Sequence, residues 1–490
     1  MMRKALCLIL TAVMLITLLP CAWADVSGTC GDNLTWALDS QGTLTLSGTG
    51  AMENFPYTDA PWMAYRGDIY SVVLSEGITS VGSYAFEFCR NLASVSLPQS
   101  LTKIGMNAFY ATKLASVEIP AGVSSLDISA FGECTELTTI RVAAGNNDFS
   151  AQDGVLFSKD GTKLLLCPVG KLGSYIVPQT VTSIETGAFA GSLLEEVIIP
   201  ANVTAIKDFA FTDCSRMTAI TVAAGNPNYS SDHGVLYSED QTKLIVCPAG
   251  FQGSLILPGG VETIGQRAFY GCAGLTGINL PQGLTAIGSL AFAHCSGLTG
   301  VQLPESLQRL EMEAFGFSGL KEITIPAGVS HMGAYQFMGC EQLKTVRFRC
   351  TAPAMNPEFF TSVTANVYYP ANDPSWDAVK NRNYGGMLTW IADGRVSSVV
   401  LPQGITCIEA ETFLNNRSIA EVTIPESVVS IGSKAFKGCE SLSILVLGSS
   451  VREIAGDAFD GCPSTLMFCC PLGSYAESYA KSHGFQFVPN

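Results

Sequence analysis

Histidine and cysteine are the side chains here that chemistry would recruit most readily, and neither is spaced for it. There are four histidines, His233, His294, His331 and His483. None forms the paired or Glu-flanked arrangement that a zinc ion or a general base requires. Of the 17 cysteines, Cys7 and Cys21 fall in an apolar leader, and 15 remain. Eight of these recur three residues after a Phe: Cys89, Cys134, Cys214, Cys272, Cys295, Cys340, Cys439 and Cys462. Equivalent thiols are read either as ligands and disulfides or as a buried ladder of small apolar groups. No Cys-x-x-Cys pair occurs, which favours the ladder. Whether neighbouring rungs approach closely enough to oxidise is a matter of geometry. Cys469-Cys470 lies outside the pattern. No phosphate loop, dinucleotide glycine motif or Gly-x-Ser-x-Gly elbow is present. A carboxylate pair for glycoside hydrolysis needs only spatial proximity, and the sequence singles none out. We therefore expect no catalytic, cofactor-binding or metal-binding residues, no cofactor, and no enzyme.

The elements that carry these residues are repeats. A Phe, usually after Ala, returns at Phe86, Phe109, Phe131, Phe189, Phe211, Phe269, Phe292, Phe315, Phe337, Phe413, Phe436 and Phe459, in steps of 22 or 23 where nothing is inserted. From Phe269 the unit runs Cys272, Leu275, Ile278, Leu280-Pro281, Leu284, Ile287-Gly288 and then Ala291-Phe292. The Leu-x-x-Ile-x-Leu segment ends in strand alternation, and Pro closes it because Pro cannot donate to a ladder. The Ala-Phe-x-x-Cys piece is long enough for one helical or 3₁₀ turn. One such unit cannot bury its Leu, Ile and Phe, but stacked units can. The fold expected is a β-rich repeat solenoid of about 13 turns with a parallel sheet, inserted hairpins and end caps.

Two gaps of 58 residues, Phe131 to Phe189 and Phe211 to Phe269, hold matching inserts at an offset of 80. Val142-Ala-Ala-Gly145-Asn146 has its counterpart in Val222-Ala-Ala-Gly225-Asn226, and Leu164 to Pro168 in Leu244 to Pro248. Each insert reads as a β-hairpin projecting from the stack. Between Phe337 and Phe413, Phe360 marks a degenerate thirteenth unit, followed by a 30-residue insertion. The expected boundaries are a leader at 1–24, an N-terminal cap at 25–70, and repeats at 71–348 with hairpin inserts near 143–178 and 223–258. A degenerate repeat with the insertion follows at 349–394, then repeats at 395–464 and a C-terminal cap at 465–490. In that cap Ser474 and Glu477 form a capping box, and Gly484 stops the helix.

The unit Ala-Phe-x-x-Cys-x-x-Leu-x-x-Val-x-Leu-Pro-x-x-Leu-x-x-Ile-Gly resembles the BspA-like class of leucine-rich repeats over most of residues 68–465. The opening Ser27 to Trp36, the insert Val367-Tyr368-Tyr369-Pro370 with Tyr384-Gly385-Gly386, and the closing Gly473 to Ala476 are similar to segments of that family. The resemblance implies a secreted or surface protein that adheres to host proteins or to other cells. Many such proteins carry a C-terminal Leu-Pro-x-Thr-Gly signal, a final apolar tail or a wall-binding module; the stretch up to Asn490 shows none of these, which leaves retention at the surface open.

Arg3 and Lys4, the apolar run from Ala5 to Leu19, Pro20 and the small-x-small Ala22-Trp23-Ala24 read as a secretory signal peptide cleaved before Asp25. No later segment is apolar enough to cross a bilayer. Two of the 27 basic residues and none of the 42 acidic ones leave with the leader, so the mature chain carries −17. Such a chain repels phosphate backbones and anionic lipid, so nucleic acid is not a partner. A protein partner is expected, with host extracellular-matrix and surface proteins as candidates. The outward strand positions are small and polar, and only Arg141 and Arg347 are of the types that anchor interfaces. Aromatics concentrate in the inserts, at Tyr229, Tyr237, Tyr368, Tyr369, Trp376, Tyr384 and Trp390. Those nine residues are the candidate contacts; the competing reading is that the aromatics seal the inserts against the stack. Two other functions stay open, a structural envelope protein without a host ligand and a carbohydrate-binding or hydrolytic protein.

Overall fold

The computed structural model describes residues 26–57, 59–371, 373–393, 396–416 and 419–489; the expected leader lies outside them. Two compact units are present. One runs up to Glu239 and includes Pro248–Gly250, and the other comprises Asp240–Cys247 and the chain from Phe251 onward.

In the first unit an antiparallel cap, Val26–Thr29, Leu34–Leu38 and Thr43–Gly48, turns into the stack. Its third strand pairs in parallel with Ser71–Leu74, which pairs with Ser94–Ser96. A second ladder of short strands joins Ile78–Val81, Lys103–Ile104 and Ser125–Leu126. Each turn thus contributes a longer and a shorter strand, with partners one repeat apart, as in Ile140 opposite Val117. Alternation does the sorting: Ile140 is buried while Arg141 faces solvent.

The repeated Phe side chains form a buried stack. Centroids lie 5.3 Å apart for Phe86 and Phe109, 5.6 Å for Phe109 and Phe131, 4.8 Å for Phe269 and Phe292, and 5.1 Å for Phe436 and Phe459. Trp62 of the cap seals the first end at 5.4 Å from Phe86. Burying a Phe is worth about 1.5–3 kcal/mol, and a ring pair adds about 0.5–1.5 kcal/mol. The ladder cysteines Cys89, Cys134, Cys214, Cys295, Cys340, Cys439 and Cys462 are not joined in disulfides.

The Ala-Phe segment is a string of turns in most repeats rather than a regular helical turn, with a short 3₁₀ helix at Ile128–Phe131. Two residues after the Phe the backbone turns left-handed. Phe88 has φ 59°, Ala111 57°, His294 61° and Phe317 54°, and Gly191, Gly271 and Gly339 hold the same place. A left-handed residue ends any right-handed turn.

About 18 turns are formed, against the 13 expected. The difference comes from the inserts, which build rungs of their own. Val155–Ser158 pairs antiparallel with both Phe149–Gln152 and Lys163–Leu166. Lys163–Leu166 then runs parallel to Ser183–Ile184, and Gly173–Ile176 parallel to Leu194–Ile199. Asn146 pins this insert. It is fully buried, donates from Nδ2 to the Pro120 and Val123 carbonyls, both at 2.9 Å, and accepts from Asp148 N and Phe149 N at Oδ1. Asn226 repeats all four bonds. The hairpins are therefore not projections, because their apolar residues Val155, Leu156 and Phe157 complete the core.

In the second unit Thr364–Pro370 pairs in parallel with Thr345–Phe348, and Met387–Asp393 with Thr364–Pro370. The insertion thus extends the sheet. Phe360 stacks on Phe337 at 5.5 Å, as a thirteenth unit would. At the C-terminal end the helix Tyr475–His483 is capped by Ser474 and closed by Gly484 at φ 78°. Glu477 accepts from Gly473 N rather than from the cap residue's own N–H.

Candidate functional site

Parallel strands one rung apart place equivalent outward residues side by side. In the second unit this sets Asn279, Gln302, Thr324 and Arg347 in a row. The rung at Gly300 meets the sheet through a single bridge to Glu322, and Gly300 and Gly277 carry no side chain to fill the space. A groove of about 840 Å³ opens there, with Gln282, Glu305, Thr345 and Arg349 completing its walls.

Arg347 marks one end of the groove. Its guanidinium stacks over the Tyr368 ring, 4.3 Å from the centroid, and pairs with Asp393 from the last strand of the insertion. Arg349 pairs with Glu305 at 3.3 Å across the rungs. Arg347 is therefore held in place and presents a planar donor fork from a prepared position, whereas the exposed Arg349–Glu305 pair orients its partners only weakly. The rest of the lining mixes the amides and hydroxyls of Asn279, Gln282, Gln302, Thr324 and Thr345 with the Glu322 carboxylate and aliphatic side chains.

The expected site residues divide among three environments. Arg347 and Tyr368 meet at the groove. Tyr369, Trp376, Tyr384 and Trp390 form one aromatic cluster behind the sheet, with Trp376 fully buried 4.9 Å from Phe348. Trp376 Nε1 donates to the Cys350 carbonyl, Trp390 Nε1 to the Arg382 carbonyl, and Tyr384 Oη to the Val379 carbonyl. Burial pushes the Tyr384 phenol up. Tyr368 and Tyr369 part company because neighbouring strand residues face opposite sides. The last three candidates belong to the first unit. Arg141 is exposed on Thr139–Val142, Tyr229 Oη accepts from Ile206 N at 2.9 Å, and Tyr237 is fully buried. The outward face does carry an aromatic, contrary to expectation, because the insertion strand brings Tyr368 into register with Arg347.

Arg349, Glu305 and Gln282 escaped the sequence reading. Arg349 was within reach of it, since it lies two residues beyond Arg347 and period two puts both on one face. Asp393 was not, because its meeting with Arg347 depends on the fold of the insertion.

None of the histidines sits in a reactive cluster. His294 stacks on Phe317 at 4.9 Å, His331 pairs with Glu311, His233 with Asp232, and His483 stacks on Tyr479 at 3.9 Å. Among the described residues no group of three or more His, Cys, Asp or Glu is placed to hold a metal ion, and no helix is long and apolar enough to cross a membrane.

Comparison with known proteins gives the architecture its relatives. Among curated proteins none is similar enough to this chain to count as a match. A leucine-rich repeat protein from Eubacterium ventriosum is 24% identical over 85% of this chain and 95% of its own, with a TM-score of 0.42. The pneumococcal vaccine antigen PcpA is 16% identical over 95% and 98%, with a TM-score of 0.39. A leucine-rich cell surface protein from Faecalibacterium prausnitzii is 20% identical over 93% and 97%, with a TM-score of 0.37. The profile of the BspA type leucine rich repeat region matches residues 64–153, 168–252, 249–366 and 392–479 in six copies. With that match spanning more than half of its length, on a parallel β-solenoid whose rungs carry the repeat, this chain belongs to the BspA-type leucine-rich repeat family.

Proposed function

We propose that this leucine-rich repeat protein acts outside the cell as a non-catalytic adhesion module that binds a protein partner along the groove from Asn279 to Tyr368. The observation that carries this reading is the prepared end of the groove. There Arg347 is oriented by Tyr368 and Asp393 beside a row of neutral polar side chains. An Arg stacked on a Tyr is a usual core of an interface hot spot, and a polar surround suits a partner that must also exist free in water. The leader-like residues 1–24 and the family resemblance favour action outside the cell. The expected contacts narrow accordingly to Arg347 and Tyr368. Trp376 and Tyr237 support the core, while Tyr369, Tyr384 and Trp390 support the strand that presents Tyr368. Arg141 and Tyr229 remain secondary candidates on the first unit.

The test is surface binding of the mature chain to immobilised extracellular-matrix and serum proteins, with Tyr368→Ala and Gln302→Arg in parallel. Saturable binding that weakens about tenfold or more with either substitution supports the groove; a hot-spot loss of that size is about 1.4 kcal/mol or more. Binding untouched by both moves the contact elsewhere, and no binding to any protein by a folded chain favours an envelope-structural role. The amide and hydroxyl lining also favours a second reading, a glycan in the same groove, which a glycan array would reveal.

A further inference from the structure

In the first unit four rings from three successive segments meet edge to face. Tyr57 comes from the N-terminal cap, Tyr84 and Phe88 from the first Ala-Phe turn, and Tyr110 from the next. Tyr57 stands 6.1 Å from Phe88 at 89° and 6.4 Å from Tyr84 at 85°, and Phe88 stands 5.7 Å from Tyr110 at 88°. Tyr57 and Tyr110 thus both meet Phe88 at close to right angles. The arrangement opens to solvent: Tyr57 is 62% exposed, and the other three are half-buried. Phe88 holds its ring there at φ 59°, where Gly191, Gly271, Gly339, Gly438 and Gly461 serve the equivalent turns.

A cation already visits the box, since the guanidinium of exposed Arg90 lies 5.5 Å from the Phe88 centroid. Beneath it Glu87 is buried, at 1% exposure. Glu87 Oε1 accepts from Asn107 Nδ2 at 3.0 Å, and Oε2 has no hydrogen-bond partner among the described residues. A buried carboxylate oxygen without a partner is costly to keep. Burial pushes the Tyr110 phenol up, and the neighbouring Glu133, Glu87 and Asp213 push it further. The adjoining cavity of about 410 Å³ is lined by Phe88 and Tyr110 with Arg90, Lys113, Glu133 and Glu136, whose charges cancel. Glu87 lies outside that balanced set; burial raises its carboxyl above the ordinary value and the Asn107 bond acts to lower it. Because Oε2 is shielded, it acts through its field, which suits a cation with no N–H to offer.

We propose that Tyr57, Phe88 and Tyr110 form a box for a small organic cation of the quaternary-ammonium type, seated over Phe88 in place of Arg90 and held by the ring faces and the Glu87 charge. Ring faces attract such cations through their quadrupole, and desolvation strengthens the attraction. This site is independent of the groove in the second unit.

The experiment is calorimetric titration of the full chain with tetramethylammonium, with choline, and with the neutral isostere 3,3-dimethylbutan-1-ol. Saturable binding of both cations and none of the alcohol is expected. Tyr57→Ala and Phe88→Gly should each weaken binding about tenfold, between the values for an exposed and a desolvated cation over a ring. Phe88→Gly removes the ring at a backbone angle glycine prefers, so the fold is retained, and circular dichroism checks this. Glu87→Gln keeps the bond to Asn107 and should also weaken binding. No cation binding, equal binding of the alcohol, or affinity unchanged in both ring variants would overturn the proposal. Where choline binds, its competition against phosphatidylcholine and phosphatidylglycerol vesicles distinguishes a membrane headgroup from a free ligand as the source.

Discussion

Cys134 Sγ donates to the Phe109 carbonyl oxygen at 3.1 Å, and the contact recurs from Cys214 to Phe189 at 2.9 Å, Cys295 to Phe269 at 3.0 Å, Cys340 to Phe315 at 3.0 Å and Cys462 to Phe436 at 3.2 Å. The thiol is thus a small buried donor that adds a second bond to a carbonyl which, at Phe189, Phe269, Phe315 and Phe436, already accepts the N–H three residues on. Thr112 and Ser318 occupy the same step in other repeats, where their hydroxyls hydrogen-bond with Cys134 Sγ at 3.3 Å and Cys340 Sγ at 3.5 Å. Cys295→Ala should therefore destabilise the chain by about 1–2 kcal/mol in denaturant unfolding, with Cys295→Ser less costly. Burial also keeps these thiols protonated. Cys89, Cys214 and Cys462 are raised from 9.0 to about 12. The folded state thus holds the proton more tightly than the unfolded state. The stability this contributes is complete below about pH 9 and is lost as pH rises through about 12. Equilibrium unfolding between pH 8 and 11 should show stability falling across that window, and alkylation of ladder thiols at pH 7.5 should be slow until denaturant is added. The adjacent pair that the pattern left unexplained resolves simply: Cys470 is buried, Cys469 is half-buried, and as strand neighbours they face opposite sides.

The insert beginning at Asn146 shows how an element can be decided by one side chain. Four hydrogen bonds from a fully buried amide tie the insert to the repeat before it. Asn146→Ala would leave two carbonyls and two N–H groups without that partner, and we expect a loss of about 3 kcal/mol in thermal or denaturant unfolding. Asn146→Asp should be nearly as damaging, because a carboxylate cannot donate to Pro120 and Val123. The equivalent Asn226→Ala should cost a similar amount, since its bonds have the same partners and lengths within 0.1 Å. Repetition of the Val-Ala-Ala-Gly-Asn segment was visible in the sequence, and so was the hairpin. The role of the Asn was not, because its partners lie 23 and 26 residues earlier and are backbone atoms with no residue signature.

Within the second unit one sheet ladder runs from a regular rung, Glu322–Ile325, through Thr345–Phe348 and Thr364–Pro370 to Met387–Asp393 of the insertion. Deleting residues 361–394, an obvious way to ask whether the insertion binds, would remove two paired strands and uncover Val346 and Phe348, both buried. We expect that deletion to lower the midpoint and sharpness of calorimetric unfolding, whereas Tyr368→Ala should leave both nearly unchanged. A deletion that unfolds like the intact chain would show that the insertion is an appendage. The sequence alone determined the repeat, the buried Phe stack and the outward row containing Arg347. Each follows from a short period and from the strict alternation of strand side chains, which are local. Tertiary structure decided that the inserts are rungs, that Tyr368 lies beside Arg347, and that Tyr57 of the cap closes a box over Phe88. Those contacts join residues tens of positions apart, and the register that brings them together is set by how successive turns pack, not by any residue's immediate neighbours.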